Sequence, residues 1–242
     1  MDMPSEIQHQ AMGYDRAATM FSPDGHLLQV EYAEKTVRLG SSSIGIVCTD
    51  GVIIVADRRV NDKLILPDSA SKIYEIDSHI IASAAGILSD ARVLIEKSRV
   101  IAQQNRVTYD SPVEVEEIIR EIANTKQLYT QYGGARPFGV AILVAGIDRE
   151  TPKIFSSDIT GNYFSYKAMS IGENDEKIKE ILRMKLEKMP NINGGIKLAL
   201  DIFKEILGKN FELSRFDVAY VDKEEKKVTK LDETSLRKII QS

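Results

Sequence analysis

Three residues in the first third of the chain could together form a nucleophilic cluster. Ser41 follows a glycine at the start of a predicted strand, Asp57 ends the hairpin partner of that strand, and Lys72 begins a later strand. A hydroxyl, a carboxylate and an amine that arrive from adjacent strands can activate a nucleophile. The spacing equally fits a strand-edge serine, a strand-end aspartate and a solvated lysine without a shared role.

The other residues that often carry chemistry are scattered. The histidines His9, His26 and His79 occur singly, and Cys48 lies within an apolar strand, where a buried structural thiol is expected. The sequence has no H-E-x-x-H motif, no P-loop and no G-x-S-x-G nucleophile elbow. We therefore expect neither a metal site nor a cofactor.

The composition favours a sizeable core and disfavours two classes of partner. The chain has 242 residues, of which 43% are hydrophobic, with 32 basic against 36 acidic residues and a formal net charge of -4. This balance lacks the basic excess of a nucleic-acid-binding protein. The most apolar stretches, 80–88 and 140–147, are too short to span a membrane, and the N-terminus lacks the features of a secretory signal. We expect a cytoplasmic protein that binds neither nucleic acid nor membrane.

The elements that would position these residues form two blocks. In the first, Asp50-Gly51 predicts a tight hairpin, and the predicted strands lie at 43–49, 52–57, 72–76 and 79–85. Apolar residues at helical spacing predict a leading helix over 26–39 and two following helices, near 87–104 and 112–133.

The second block repeats the pattern of strands followed by two helices. Its predicted elements are strands at 138–147, 153–157 and 162–170, helices at 174–188 and 195–207, strands at 216–221 and 227–231, and a last helix from residue 233. Strand blocks with helix pairs indicate two sheets covered by helices rather than a doubly wound parallel sheet.

Several stretches of the sequence follow one recognisable pattern. Near the N-terminus they read G-Y-D-R-A at 13–17, F-S-P-D-G at 21–25 and Q-V-E-Y-A at 29–33. Further stretches are D-G-V at 50–52, A-D-R-R at 56–59, S-D-A-R-V-L at 89–94, Y-T-Q-Y-G-G at 129–134, R-P-F-G at 136–139 and A-G-I-D at 145–148. Together these stretches resemble proteasome α subunits, and archaeal ones in particular. The resemblance implies the α+β fold of that family, a four-layer αββα sandwich of the N-terminal-nucleophile hydrolase type with an extra N-terminal helix.

The resemblance also implies that the Ser41 cluster is not catalytic. Active β-type members use an N-terminal threonine whose free amine is the base, beside an aspartate and a lysine that match Asp57 and Lys72. Here Ser41 stands in place of the threonine and 40 residues precede it. We expect a non-catalytic subunit of a threonine-type protease complex. One alternative is an active hydrolase cleaved before Ser41; another is a free-standing binding module, which is disfavoured because the helix over 26–39 would expose apolar surface without ring neighbours.

In the family, three groups of residues carry the α-type role, and their counterparts here are candidate site residues. A flexible gating tail over 1–13 would precede one proteasome-type domain over 14–242. The residues implied to stabilise the open gate are Tyr14, Asp15, Pro23 and Tyr32. Those implied to bind the C-terminal tail of an activator are Lys72, Gly86 and Ile87, and those implied to form the pore turn are Tyr132, Gly133, Gly134 and Ala135.

The implied partners are other copies of the chain in a seven-membered ring, proteasome β subunits, an AAA ATPase activator with C-terminal docking tails, and unfolded proteins in transit. The sequence departs from the family pattern at three places. His26 replaces the usual arginine, Ala135 replaces a common valine, and serines at 41–43 replace a run that usually contains threonine. Because the charge of histidine changes near neutral pH, His26 could make the turn at 22–25 sensitive to pH.

Overall fold

Ten strands form two antiparallel sheets in the part of the chain that the computed structural model describes, which is residues 12–60, 62 and 64–241. The first sheet consists of β1 (Ser43–Val47), β2 (Gly51–Asp57), β8 (Ala168–Ile171), β9 (Phe216–Asp222) and β10 (Val228–Leu231), in the order β10-β9-β2-β1-β8. The second consists of β3 (Ile73–Asp77), β4 (Ile80–Gly86), β5 (Val140–Asp148), β6 (Thr151–Ser157) and β7 (Tyr163–Ser165), in the order β3-β4-β5-β6-β7.

Six α-helices accompany the sheets in the same described part. They are α1 (Leu28–Leu39), α2 (Leu88–Tyr109), α3 (Val115–Gln131), α4 (Asp175–Lys185), α5 (Ile192–Leu207) and α6 (Glu233–Gln241). All were predicted within a few residues of their observed bounds. None of the described helices is long and apolar enough to cross a bilayer.

Alternate side chains of the central strands face opposite layers, so both faces of each sheet are buried. In β2, Val52 and Ile54 lie between the sheets, whereas Ile53 and Val55 pack with α4 and α5. The same alternation in β5 places Leu143 between the sheets. Its neighbours Ile142 and Val144 pack against α2 and α3 on the other face. The layers therefore run helices, sheet, sheet, helices, which confirms the predicted αββα sandwich with α1 as the extra N-terminal helix.

The single strand predicted over 162–170 is wrong. The chain forms β7, which pairs with β6, and then β8, which pairs with β1 in the other sheet. The crossing takes place at Tyr166 and Lys167: the Tyr166 N–H donates to Ile154 of the second sheet, and the Lys167 carbonyl accepts from Val47 of the first. Both β7 and β8 consist of residues that favour strands, so the sequence of 162–170 reads as one strand. The break between them arises because their partner strands belong to different sheets.

Candidate functional site

The helix that precedes the first strand is seated on the body of the domain. Val30 and Ala33 of α1 are buried against Ile159, which follows β6. The Thr36 hydroxyl donates to the Gly139 carbonyl at 3.0 Å, just before β5. The helix is therefore fixed along one face by apolar packing and near its C-terminal end by a hydrogen bond.

Gly40 joins α1 to the first strand through very close backbone packing. A Cβ atom at Gly40 would lie 2.3 Å from the Gly86 nitrogen, and one at Gly172 would lie 2.6 Å from the Ser41 carbonyl oxygen. The Gly40 carbonyl accepts from the Glu173 N–H at 2.8 Å. The backbone at 40–41 is thus held from two sides, and the Ser41 nitrogen is bonded to Gly40 rather than being a free amine.

Lys72 directs its amine into the protein, towards Ser41. Its Nζ atom donates to the Ser41 hydroxyl oxygen at 2.7 Å and to the Ser41 carbonyl, and it lies 3.5 Å from the Ser42 carbonyl. Only 3% of the residue is exposed. Burial lowers the pKa of Lys72 to about 7, and the charges of Asp57 and Asp217 oppose this shift in part. The amine can therefore change its charge near neutral pH.

Asp57 has a different partner from the one that the cluster required. Its carboxylate accepts from Arg215, at 2.7 Å from Nη2 and 3.2 Å from Nε, and from the Arg59 N–H at 3.0 Å. Among the ion pairs of the described residues, none joins Asp57 to Lys72. Lys72 and Ser41 are thus in direct hydrogen-bond contact, whereas Asp57 lies near enough for its charge to act on Lys72 but forms its ion pair with Arg215.

The three residues predicted to bind an activator tail meet at the same joint. Lys72 contacts Ser41, and Gly86 packs on the neighbouring Gly40. Gly86 has a φ of +116°, and a Cβ there would lie 2.2 Å from the Gly139 carbonyl oxygen, so no larger residue fits. The Ile87 N–H donates to the same oxygen at 2.9 Å. That these residues bind a tail stays a prediction.

The residues predicted to stabilise the gate lie around the start of α1. Tyr14 and Asp15 belong to one short helical turn, Tyr14–Arg16, and the Gln29 side chain of α1 donates to the Asp15 carbonyl at 2.5 Å. Pro23 is exposed in the following turn, and Tyr32 is half-buried on α1. Gln29 was not predicted as a site residue, although it lies in the matching Q-V-E-Y-A stretch. Residues 1–11 of the predicted tail lie outside the described residues.

His26 closes the turn that contains Pro23. Its N–H donates to the Ser22 hydroxyl at 3.1 Å, and the Ser22 N–H donates to the His26 carbonyl at 2.8 Å. The imidazole Nδ1 lies 2.5 Å from a Glu31 carboxylate oxygen. The departure at this position therefore keeps a side chain that connects the turn to α1.

The predicted pore turn projects from the end of α3. Tyr132 is 65% exposed, and a Cβ at Gly133 or Gly134 would have no neighbour within 4 Å. The base of the turn is fixed by Arg136, whose guanidinium binds both Asp90 oxygens at 2.6 and 2.7 Å. That pair lowers the pKa of Asp90, and its role in holding the turn was not predicted.

Lys126 is a second buried lysine, and the sequence analysis missed it. Its Nζ lies 3.1 Å from the Ser157 carbonyl, 3.0 Å from the Asp158 carbonyl and 3.4 Å from the Ser157 hydroxyl. Burial lowers its pKa to about 7. A signal was available: Lys126 follows Ile119 and Ile122 at helical spacing, on the apolar face of α3.

Across the described part of the chain, no three histidine, cysteine, aspartate or glutamate side chains are grouped so that they could hold a metal ion. Cys48 is a free, buried thiol whose pKa is raised to about 12 by burial and by the nearby Asp50 charge. A thiol that stays protonated is a poor nucleophile and a poor metal ligand.

Comparison with known proteins gives two family matches. Residues 14–35 match a family model for the N-terminal signature of A-type proteasome subunits. Residues 37–221 match a model described as proteasome subunit. The boundary between the two matches falls within α1, so most of the helix belongs to the signature. The larger model covers the sandwich up to β9, whereas β10 and α6 lie beyond its end at residue 221.

Curated relatives match the chain over most of its length. The proteasome α subunit of Methanococcus maripaludis strain C7 is 42% identical over 232 residues, which cover 96% of this chain and 89% of the relative. The protein of the same name from Methanosarcina acetivorans is 42% identical, with 95% and 93% covered. That from Archaeoglobus fulgidus is 46% identical over 207 residues, with 84% of each chain covered.

Proposed function

The chain belongs to the proteasome subunit family as an α-type subunit of the archaeal kind, and we propose that it forms the ring that gates a threonine-type protease core. Subunits of the α type are non-catalytic parts of the protease complex. In this proposal seven copies form the ring, the ring is the template on which the β subunits assemble, and the complex degrades proteins in the cytoplasm with the help of an AAA ATPase.

One observation carries the proposal: the helix before Ser41 is packed on the rest of the domain. The helix α1 is packed on Ile159 and bonded to Gly139, and Gly40 is in backbone contact with Gly86. An N-terminal-nucleophile hydrolase needs a free amine on the nucleophile itself. Cleavage before Ser41 would remove this packed helix, which supports a structural role for the helix rather than that of a disposable leader.

The gate would consist of residues 1–13 and the cluster of Tyr14, Asp15, Pro23 and Tyr32. The Gln29 side chain of α1 donates a hydrogen bond to the Asp15 carbonyl in the short turn that contains Tyr14 and Asp15. A displacement of the turn would therefore be transmitted to the helix. Unfolded substrates would enter past the exposed turn of Tyr132, Gly133, Gly134 and Ala135, which leads from α3 to β5.

The ATPase would dock its C-terminal tails at Lys72, Gly86 and Ile87. A tail carboxylate near the Lys72 amine would make a charge-assisted hydrogen bond in a sheltered site. Because several tails of one ATPase would bind the same ring, the overall affinity of the ATPase for the ring would exceed that of any single tail. We further propose that residues 14–242 act as one domain.

Native mass spectrometry of the purified full-length chain, followed by denaturation of the same sample, tests the proposal. We expect full-length chains in a ring of about seven copies, since head-to-tail contacts that close produce rings. A chain that begins at Ser41 would contradict the proposal and favour an active hydrolase.

The contact between the Lys72 amine and the Ser41 hydroxyl, at 2.7 Å, is the one observation that favours this second candidate. It is the arrangement that a processed enzyme would need around its nucleophile. The mass of the denatured chain therefore decides between the two functions, because only the hydrolase requires cleavage.

A further inference from the structure

The Ser41 hydroxyl accepts a hydrogen bond within the domain but donates none to the described residues. A serine hydroxyl has one proton to donate and can accept two hydrogen bonds. Its oxygen accepts from the Lys72 amine at 2.7 Å, but among the hydrogen bonds of the described residues none has Ser41 Oγ as the donor. Ser41 is also only partly buried, so its proton can be donated to a group outside the domain.

The Lys72 ammonium has one weak contact that a ligand could replace. An ammonium has three protons to donate. Two are well used, by the Ser41 hydroxyl and the Ser41 carbonyl, whereas the Ser42 carbonyl lies 3.5 Å away, at the limit of a hydrogen bond. A carboxylate that arrives at Lys72 would accept this third proton at little cost to the other two.

We propose that Ser41 is a second binding residue for the tail carboxylate, and that its hydroxyl donates to one carboxylate oxygen while the Lys72 ammonium donates to the other. The inference rests on the proposed docking function. It extends that function because it gives a role to the residue that stands in place of the nucleophile.

The backbone around Ser41 supports this role because it is fixed before any ligand arrives. The close contacts of Gly40 with Gly86 and of Gly172 with the Ser41 carbonyl leave little room for the segment to shift. A donor pair that is already in place loses little entropy on binding. The two adjacent donors would distinguish a free carboxylate from an amide, because an amide has one acceptor oxygen and can satisfy only one of the two donors.

The test compares two forms of one peptide on two forms of the protein. A fluorescent peptide with the C-terminal residues of the cognate AAA ATPase is made as the free acid and as the amide. Both are titrated into core particles that contain the full-length wild-type chain or the Ser41→Ala variant. We expect wild type to prefer the acid, and Ser41→Ala to lose roughly tenfold in affinity for the acid and distinctly less in affinity for the amide.

A matched pair of variants controls for shape and keeps the test informative if Ser41→Ala does not assemble. Ser41→Thr retains the hydroxyl, whereas Ser41→Val has nearly the same shape as the threonine variant without it. The proposal predicts that the threonine variant keeps the wild-type preference for the acid, whereas the preference of the valine variant falls by roughly tenfold and what remains comes from Lys72.

The outcomes separate the inference from the function on which it rests. If Ser41→Ala and Ser41→Val prefer the acid as strongly as wild type does, Ser41 does not bind the carboxylate, while the docking function stands. If wild type binds acid and amide equally, the docking role of Lys72 is wrong and the inference is wrong with it.

Discussion

Lys72 and Lys126 each bury an amine among neutral oxygen atoms of the described residues. Burial lowers the pKa of each to about 7, from an ordinary value of 10.5. Lys72 lies at the joint between α1 and the sandwich, where we propose that it binds a tail carboxylate. Lys126 is fully buried and joins α3 to the end of β6. The same chemical group is thus a candidate ligand-binding residue in one place and a structural one in the other.

We expect the stability of the chain to rise with pH because of these lysines. Between about pH 7 and 10 an unfolded lysine keeps a proton that the buried one has lost, so each contributes a slope of about 1.4 kcal/mol per pH unit. Lys126→Met should remove one such contribution. Urea unfolding of the full-length chain at several pH values measures the slope.

Lys97→Met is the control for this experiment, since it removes an exposed lysine of the neighbouring helix α2. It should keep the wild-type slope. A Lys126→Met variant whose stability rises with pH as steeply as that of wild type would show that Lys126 is charged throughout this range.

The binding of an activator tail should also depend on pH, in the opposite direction. The carboxylate requires the charged form of Lys72, and this form is lost as pH rises through the lowered pKa of about 7. Affinity for the free-acid peptide should be constant at lower pH and fall by up to about tenfold per pH unit above it. Fluorescence titrations over this range measure the fall.

The amide form of the peptide and the Lys72→Met variant are the controls for the pH dependence. Neither the amide on wild type nor the acid on Lys72→Met should show the fall. Equal pH dependence for acid and amide would mean that a group other than Lys72 causes it.

At the scale of elements, the joint at Gly40 sets the position of α1. The helix ends there because the Gly40 N–H completes its last turn by donating to Val37, and the chain then turns into β1. The Gly40 φ of -70° is open to any residue. Glycine is required because of the close contact with Gly86, and not because of its own conformation.

Gly40→Ala should therefore displace α1 and destabilise the chain by about 2 kcal/mol or more, through overpacking. Gly133→Ala is the matched control, since a Cβ there has no neighbour within 4 Å, and its effect should be within about 0.5 kcal/mol. Thermal or urea unfolding of both variants measures the difference. Similar stabilities for the two would mean that the joint adapts, and that α1 is less firmly seated than the packing indicates.

At the scale of the whole molecule, several large apolar side chains remain exposed on the single chain. Among them are Phe21 at 63%, Leu39 at 77%, Leu64 at 90% and Val107 at 86% exposure. They come from separate regions: the N-terminal turns, the end of α1, the segment after β2 and the end of α2. Exposed apolar residues in several places fit a subunit with neighbours on more than one side, as the proposed ring and its β partners require.

Deleting residues 1–11 tests the gate at this scale. We expect core particles with the shortened chain to degrade an unfolded protein several times faster than wild type, because the obstacle to entry is removed. Cleavage of a very short peptide should change less, and the melting temperature should not change, since α1 and its seat are kept. Unchanged protein degradation would contradict a gating role for this segment.

The type and order of the elements could be predicted from the sequence because they depend on neighbours along the chain. Helical spacing in 26–39 and the Asp50-Gly51 turn are local patterns, and the observed α1 and β1–β2 hairpin follow them. The signature at 14–35 identified the family from the order of residues alone. The absence of the usual metal, phosphate and serine-hydrolase motifs was equally a property of the sequence.

The partners of individual side chains were decided only by the tertiary structure. Asp57 pairs with Arg215, 158 positions away, and no local pattern could show this partner. The split of 162–170 into β7 and β8 and the oxygen contacts of Lys126 have the same origin. Periodicity reports which face of an element is apolar, whereas the choice of partner depends on which distant elements the fold brings to that face.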